Sequence, residues 1–197
     1  MTRGFTIYSF PAHLPAIAAL DSGVAELKAI YSRSEKSAAE LAAEAKQQLQ
    51  LGQPPSVYHD ADPSANLDAL LARDDIDAVI IALPISLQPS IVRKSLAAGK
   101  HVLSEKPVAP DVAGGISLIN DFNSTYKSKG LIWRVAENFE VEPGYQAAAE
   151  AIRKGKIGKF AFFNARGVNY IAKDNKWYNT PWRTVPDVSR SVFTSCS

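Results

Sequence analysis

The chain has 197 residues, 46% hydrophobic and 21% charged, with 22 basic side chains against 20 acidic ones and a formal charge of +2. Such a composition supports a buried core and excludes disorder as the ground state. The near-balance of charge gives no electrostatic case for nucleic acid or an anionic membrane as partner. A single cysteine, Cys196, excludes an intramolecular disulfide, and three scattered histidines (His13, His59, His101) cannot complete a cysteine–histidine zinc cluster, so no metal is expected. Lack of disulfides is compatible with a reducing compartment, and a cytoplasmic location is the expectation. The longest apolar run, residues 78–83, is stopped by Pro84 and is too short to span a bilayer. Near the start, Arg3 and the run 4–10 imitate a signal peptide, but Tyr8, Ser9, Pro11 and His13 interrupt it.

In chain order, short apolar runs alternate with helical patterns, which predicts βαβ units and a parallel sheet. Residues 27–31 read as a strand, and 34–51 as a helix with Ala38, Leu41, Ala42, Ala45 and Leu49 at helical spacing. Ser37 and Glu40 form a capping-box pattern, and Gly52 with Pro54 and Pro55 stops that helix. A short strand at 57–59 and a short helix at 67–72 follow. Residues 78–83 are a continuous β-branched run suited to a strand buried on both faces. The helix 88–98 ends at Gly99, and 101–105 is the next strand. Asp111 can cap a helix whose inner face is Val112, Ile116, Ile119, Phe122 and Tyr126. Residues 131–136 are a further strand. Beyond about residue 139 the rhythm changes: Pro143 opens a helix, 159–168 reads as one long strand, and 169–187 as a polar, aromatic loop. The expected division is a parallel α/β domain at 1–140, which the resemblance given below makes NAD(P)-binding, the start of a second domain at 141–187, and an unstructured tail at 188–197.

Ligands of open parallel sheets bind outside the carboxyl ends of the strands, so the residues following each strand are the candidates. They are Ser32, Arg33 and Ser34; Leu83, Pro84 and Ile85; Lys106 and Pro107; Glu137 and Asn138. A lysine before a proline at a strand tip, partly desolvated, is suited to exchange a proton with a hydroxyl or carbonyl. The plainer reading of Lys106 is a solvated turn lysine paired with Glu105. At the second strand tip, an acidic residue would bind adenosine ribose hydroxyls and an arginine a 2′-phosphate. The sequence has Ser32 and Arg33 there, which favours NADP over NAD, against a plain surface arginine. Asp74, Asp75 and Asp77 precede a strand and read as a solvated turn. His101 reads as structural. Trp177, Tyr178 and Trp182 suit ring stacking or ordinary packing equally.

At residues 99–107, GKHVLSEKP, the sequence resembles the glucose-fructose oxidoreductase/inositol dehydrogenase family (Gfo/Idh/MocA), with Glu105-Lys106-Pro107 its most specific short signature. DIDAVIIALP at 75–84, VAENF at 135–139, GKIGK at 155–159 and WRTVP at 182–186 agree in order. The resemblance implies a Rossmann-type doubly wound parallel sheet, α/β in class, followed by an α+β sheet domain. It implies hydride transfer between NAD(P) and a sugar, polyol or related hydroxyl or carbonyl compound. Lys106 matches the lysine that contacts substrate and nicotinamide ribose. Glu105, Leu83, Pro84 and Asn138 join the cofactor set, with Trp182 and Arg183 toward substrate. A small-molecule substrate is the expected partner, and a homo-oligomer if the second domain is complete.

Two departures accompany the likeness. Aligned back from AHLPAI at 12–17, Gly4 falls on the first glycine of the family's G-x-G-x-x-G turn, Thr6 on the second and Ser9 on the third. The first strand is then shortened or missing, unless residues 3–8, with Phe5 and Ile7 alternating, are themselves that strand. Ile85 and Gln88 replace the family's asparagine and histidine after the fourth strand, and no residue after Pro186 matches its catalytic histidine. The expectation is therefore an oxidoreductase truncated at both ends, with weak or no turnover as this chain, or else a non-catalytic dinucleotide-binding module or partner subunit.

Overall fold

The computed structural model describes residues 3–8 (as backbone), 13–20, 23–159, 161, 162, 164, 166, 168, 170 and 172–174. By its contacts the chain divides into two compact units, Met1–Ala136 and Glu137–Ser197.

In the first unit the described strands are β1 (Arg3–Tyr8), β2 (Ala25–Tyr31), β3 (Ser56–Tyr58), β4 (Ala78–Ile81), β5 (His101–Ser104) and β6 (Trp133–Val135). They form one six-stranded sheet in the order β3-β2-β1-β4-β5-β6, with every pairing parallel. The order reverses between β1 and β4, which places the ligand crevice of a doubly wound sheet at that point. Of the two readings of the first strand, the structure realises residues 3–8. All six pair with β2, and Phe5 to Tyr8 also pair with β4, so the strand is neither missing nor shortened.

Helices cover both faces. On one lie α1 (Leu14–Ala18) and α2 (Glu35–Gln48), burying Leu14, Leu27, Ile30, Ala38, Leu41, Ala42 and Ala45 together. On the other, α3 (Leu67–Leu71), α4 (Gln88–Ala97) and α5 (Val112–Asp121) pack over Ala29, Tyr31, Val79, Ile81 and Val102. Leu27 and Ile30 share a face although strand alternation would oppose them. The β1–β2 register slips between Phe5 and Thr6, leaving Lys28 unpaired, and that extra residue inverts the alternation.

Local signals account for most boundaries. Asn66 and Asp111 cap α3 and α5 by accepting from the Ala69 and Gly114 N–H groups, at 2.9 and 2.7 Å. Gly99, at φ +77°, ends α4 as its sequence position suggests. For α2 the details differ. Ser34 is the cap, accepting from the Ser37 N–H at 3.2 Å, so Ser37 sits inside the first turn with its hydroxyl against that of Ser34. The chain leaves α2 through Gln50, at φ +51°, before Gly52 is reached.

The inner face expected for α5 needs correction. Leu118 is fully buried, with Phe122 and Tyr126 partly buried beside it, whereas Val112, Ile116 and Ile119 are exposed. The apolar arc of this helix is wider than the surface beneath it. A π-helical turn at Phe122–Tyr126 also adds a residue to the register, which selects the Leu118 edge of the arc.

In the second unit, Glu137 caps a 3-10 turn, Asn138–Val141, by accepting from the Phe139 N–H at 3.3 Å. Pro143 opens α6 (Pro143–Arg153), as its sequence position suggests, and Phe139 stands edge-on to Tyr145 at 5.6 Å. Where one long strand is expected at 159–168, none of the described residues (159, 161, 162, 164, 166 and 168) lies in a strand. A strand exists by its ladder, and no ladder among the described residues includes any of these. The tail 188–197 lies outside the described residues.

Candidate functional site

The carboxyl ends of β2, β4 and β5 bring the candidate residues to one edge of the sheet, on both sides of the β1–β4 reversal. Ser104 ends β5, buried, its hydroxyl accepting from Trp133 Nε1 at 3.0 Å. The backbone N–H of the next residue, Glu105, donates to Ile81 O at 2.8 Å and so ties the tip of β5 to that of β4. Glu105 Oε1 lies 3.2 Å from His13 Nε2, and Oε2 accepts from the Lys106 N–H at 3.2 Å. The Glu105 partner is thus His13, at the start of α1, and the expected Glu105–Lys106 pair is replaced by a backbone contact. The Lys106 side chain is exposed and has no hydrogen bond or ion pair among the described residues. Its peptide bond to Pro107 is cis.

Gln88, the first residue of α4, is buried, and its Nε2 donates to Pro107 O at 2.6 Å. This amide holds the turn carrying Lys106. In the sequence Gln88 stands out as a replacement for the family's histidine at the start of a helix, and that departure is a usable signal. For His13 there was none, because its partner lies 92 positions away across the crevice. Leu83 and Pro84 follow β4, half-buried, and Pro84 O accepts from the N–H groups of Leu87 and Gln88.

The His13 contact, with help from the Lys106 N–H, holds the Glu105 carboxyl below its ordinary 4.5, against the opposing effect of burial. A carboxylate whose folded value is depressed adds stability that is complete above the unfolded value and is lost as pH falls through the folded one. Glu105→Gln removes this contribution. The stability gap between wild type and E105Q, from urea titrations, is expected to be full at neutral pH and to close well below pH 4.5. A gap independent of pH would refute the assignment.

At the tip of β2, Ser32 is half-buried and Arg33 exposed. The backbone of this tip is bound to that of β3: Ser32 N–H donates to Tyr58 O at 3.1 Å and Asp60 N–H to Arg33 O at 3.3 Å. Gly4 lies inside β1, paired with Glu26 four residues before the tip, and so is not the first glycine of a phosphate turn. Asn138 belongs to the second unit, in the turn capped by Glu137. Trp182 and Arg183, with Trp177 and Tyr178, lie outside the described residues.

The remaining polar candidates are structural. Arg73 binds Asp75 through two bonds, at 2.8 and 2.7 Å, on the side of the sheet away from the tips. His101 Nδ1 accepts from the Ile132 N–H at 3.0 Å, joining β5 to the approach of β6. Among the described residues there is no group of three His, Cys, Asp or Glu side chains suited to a metal. No helix among them is long and apolar enough to cross a membrane.

A parallel sheet in the order 3-2-1-4-5-6 is that of a Rossmann-type fold. A family model described as "Oxidoreductase family, NAD-binding Rossmann fold" (GFO_IDH_MocA) matches residues 4–131. The chain belongs to this Gfo/Idh/MocA oxidoreductase family. It is 41% identical over 187 residues to "Dehydrogenase FPY6" of Fusarium mangiferae, covering 93% of this chain and 50% of that protein. Among solved structures it is similar to a 3-ketoreductase from Actinomadura kijaniata in complex with TDP-benzene and NADP. That match has a TM-score of 0.59 and 26% identity, over 79% of this chain and 44% of the other. It is also similar to a scyllo-inositol dehydrogenase from Lactobacillus casei with bound NAD(H) and scyllo-inositol, at a TM-score of 0.64 and 25% identity, over 80% and 43% of the two chains. The chain spans about half the length of these proteins.

Proposed function

We propose that the chain is the nucleotide-binding part of an oxidoreductase that moves hydride between NAD(P), with NADP favoured, and a sugar, polyol or related hydroxyl or carbonyl compound. The observation that carries this reading is the placement of Lys106 and Arg33, both exposed, at the tips of β5 and β2 on opposite sides of the reversal. The residues present fit the two ends of such a nucleotide better than its pyrophosphate: Arg33 is a cation on a tip whose backbone is fixed from β3, and Lys106 stands on a turn braced by Gln88 and by the Glu105–His13 contact, whereas residues 9–12, after β1, include no glycine for a phosphate turn. When bound, the nicotinamide supplies the hydride chemistry at its C4. The chain's own residues bind and orient. Arg33, with Ser32, takes the 2′-phosphate. Leu83 and Pro84 line the crevice and keep water from it, and the Lys106 ammonium donates to the substrate oxygen, holding or releasing a proton there.

Titration of the purified chain with NADPH and NADH, followed by nicotinamide fluorescence, tests the binding, and carbonyl-dependent loss of absorbance tests turnover. Arg33→Ala is expected to weaken NADPH about tenfold and NADH little, since a hydrogen bond to a charged group is worth roughly 1.5 kcal/mol or more. Equal losses for both nucleotides would remove Arg33 from the 2′-phosphate. Binding without turnover assigns the chain to a non-catalytic dinucleotide-binding module, and no binding refutes the reading.

A further inference from the structure

The tips of β2 and β3 carry a second charged residue, Asp60, joined through its main chain to the one assigned to the cofactor. Tyr31, the last residue of β2, is buried, and its hydroxyl donates to Asp60 Oδ1. Burial above all, then the hydrogen bond to Asp60 and its charge, pushes the Tyr31 phenol well above its ordinary range, while the Arg33 charge acts the other way. Tyr31 therefore stays a protonated donor, and it holds the exposed Asp60 carboxylate on the tip from which Arg33 projects. The Asp60 main chain is fixed to the same place by its bond to Arg33 O at 3.3 Å.

The neighbouring acids are engaged elsewhere. Asp68, which also acts on Tyr31, pairs with Lys94 at 2.7 Å. Asp62 accepts from the backbone N–H and the hydroxyl of Ser64, at 2.8 and 2.6 Å. Arg33 and Asp60, joined through their main chains, put opposite charges on this tip, with the acidic Glu35 two positions beyond Arg33 in the first turn of α2.

We propose that Asp60, held by Tyr31, is a specificity-determining residue for the adenosine end of the nucleotide, acting against Arg33. The proposal rests on the reading of Arg33 as the 2′-phosphate contact. A 2′-phosphate on this tip gains from Arg33 and is repelled by Asp60, whereas a free 2′-hydroxyl donates to the Asp60 carboxylate. The two residues offset one another, so the native tip favours NADP less than Arg33 alone would, and removing either charge shifts the preference.

The experiment is fluorescence titration of wild type, Asp60→Asn and R33A with NADPH and with NADH, alongside thermal melts. The amide oxygen introduced by D60N still accepts from the Tyr31 hydroxyl, so this variant is expected to melt with wild type. The ratio of NADH to NADPH dissociation constants is expected to rise roughly fivefold to tenfold in D60N and to fall in R33A. The D60N gain shrinks as salt is raised, because both charges are exposed. Asp60→Ser, a small acceptor, repeats the test if D60N melts early. An unchanged ratio in folded D60N or D60S, with both nucleotides bound, overturns the role of Asp60 alone. A changed D60N ratio with R33A unaltered overturns the offset between the two residues, and failure of every protein to bind either nucleotide overturns this inference together with the reading beneath it.

Discussion

Lys100→Met is expected to lower the free energy of unfolding by roughly 3 kcal/mol, since each buried polar group left without a partner costs about 1–3 kcal/mol. Lys100 precedes β5 and is 8% exposed, and among the described residues no carboxylate pairs with its ammonium. Instead Nζ donates to Arg73 O at 2.6 Å and Ile76 O at 2.8 Å, closing the turn between α3 and β4 from beneath. Methionine reproduces the apolar stem and donates nothing, so both carbonyls lose their partner. Relief of the buried charge works in the other direction, but the Ile76 carbonyl stays buried and the Arg73 carbonyl partly so, and the net effect is a loss. Urea titration measures it. A K100M protein within about 1 kcal/mol of wild type would show that water replaces the ammonium.

Leu118→Ala should cost about 3 kcal/mol, within the range for a leucine emptied from a closed core, while Ile116→Ala on the same helix should stay within about 0.5 kcal/mol. Leu118 is fully buried against the cluster that includes Ile81, Val92 and Val102, and Ile116 is 54% exposed. The pair separates two readings of one helix. If Ile116→Ala costs as much as Leu118→Ala, the face centred on Val112, Ile116 and Ile119 is the buried one and the packing described above is wrong.

The parallel sheet was legible in the sequence because a strand covered on both faces must be continuously apolar, and residues 78–83 are. The caps Asp111 and Asn66 differ in that respect: an aspartate before an apolar run marks a helix start, whereas Asn66 sits in a polar stretch of similar composition that hides it. In the same way Ser34 and Ser37 are equivalent on paper. Only the extended backbone at Ser34, φ −104° and ψ 140°, shows which of them precedes the first turn. The first strand is a case where alternation of Phe5 and Ile7 was visible but competed with a motif alignment that claimed Gly4 for a turn. Pairing on both sides decides for the strand.

What the sequence by itself determined is the order and kind of elements from β2 to β6, the family signature at Glu105-Lys106-Pro107, and Arg33 and Lys106 as strand-tip cations. These depend on neighbours within a few residues, and periodicity and turn chemistry report such neighbours. Tertiary structure alone decided that Glu105 meets His13, that Gln88 braces Pro107, that Tyr31 holds Asp60 beside Arg33, and which edge of α5 is covered. Each joins positions on different elements, and a parallel sheet brings such positions together only through its crossovers, whose geometry no local pattern encodes.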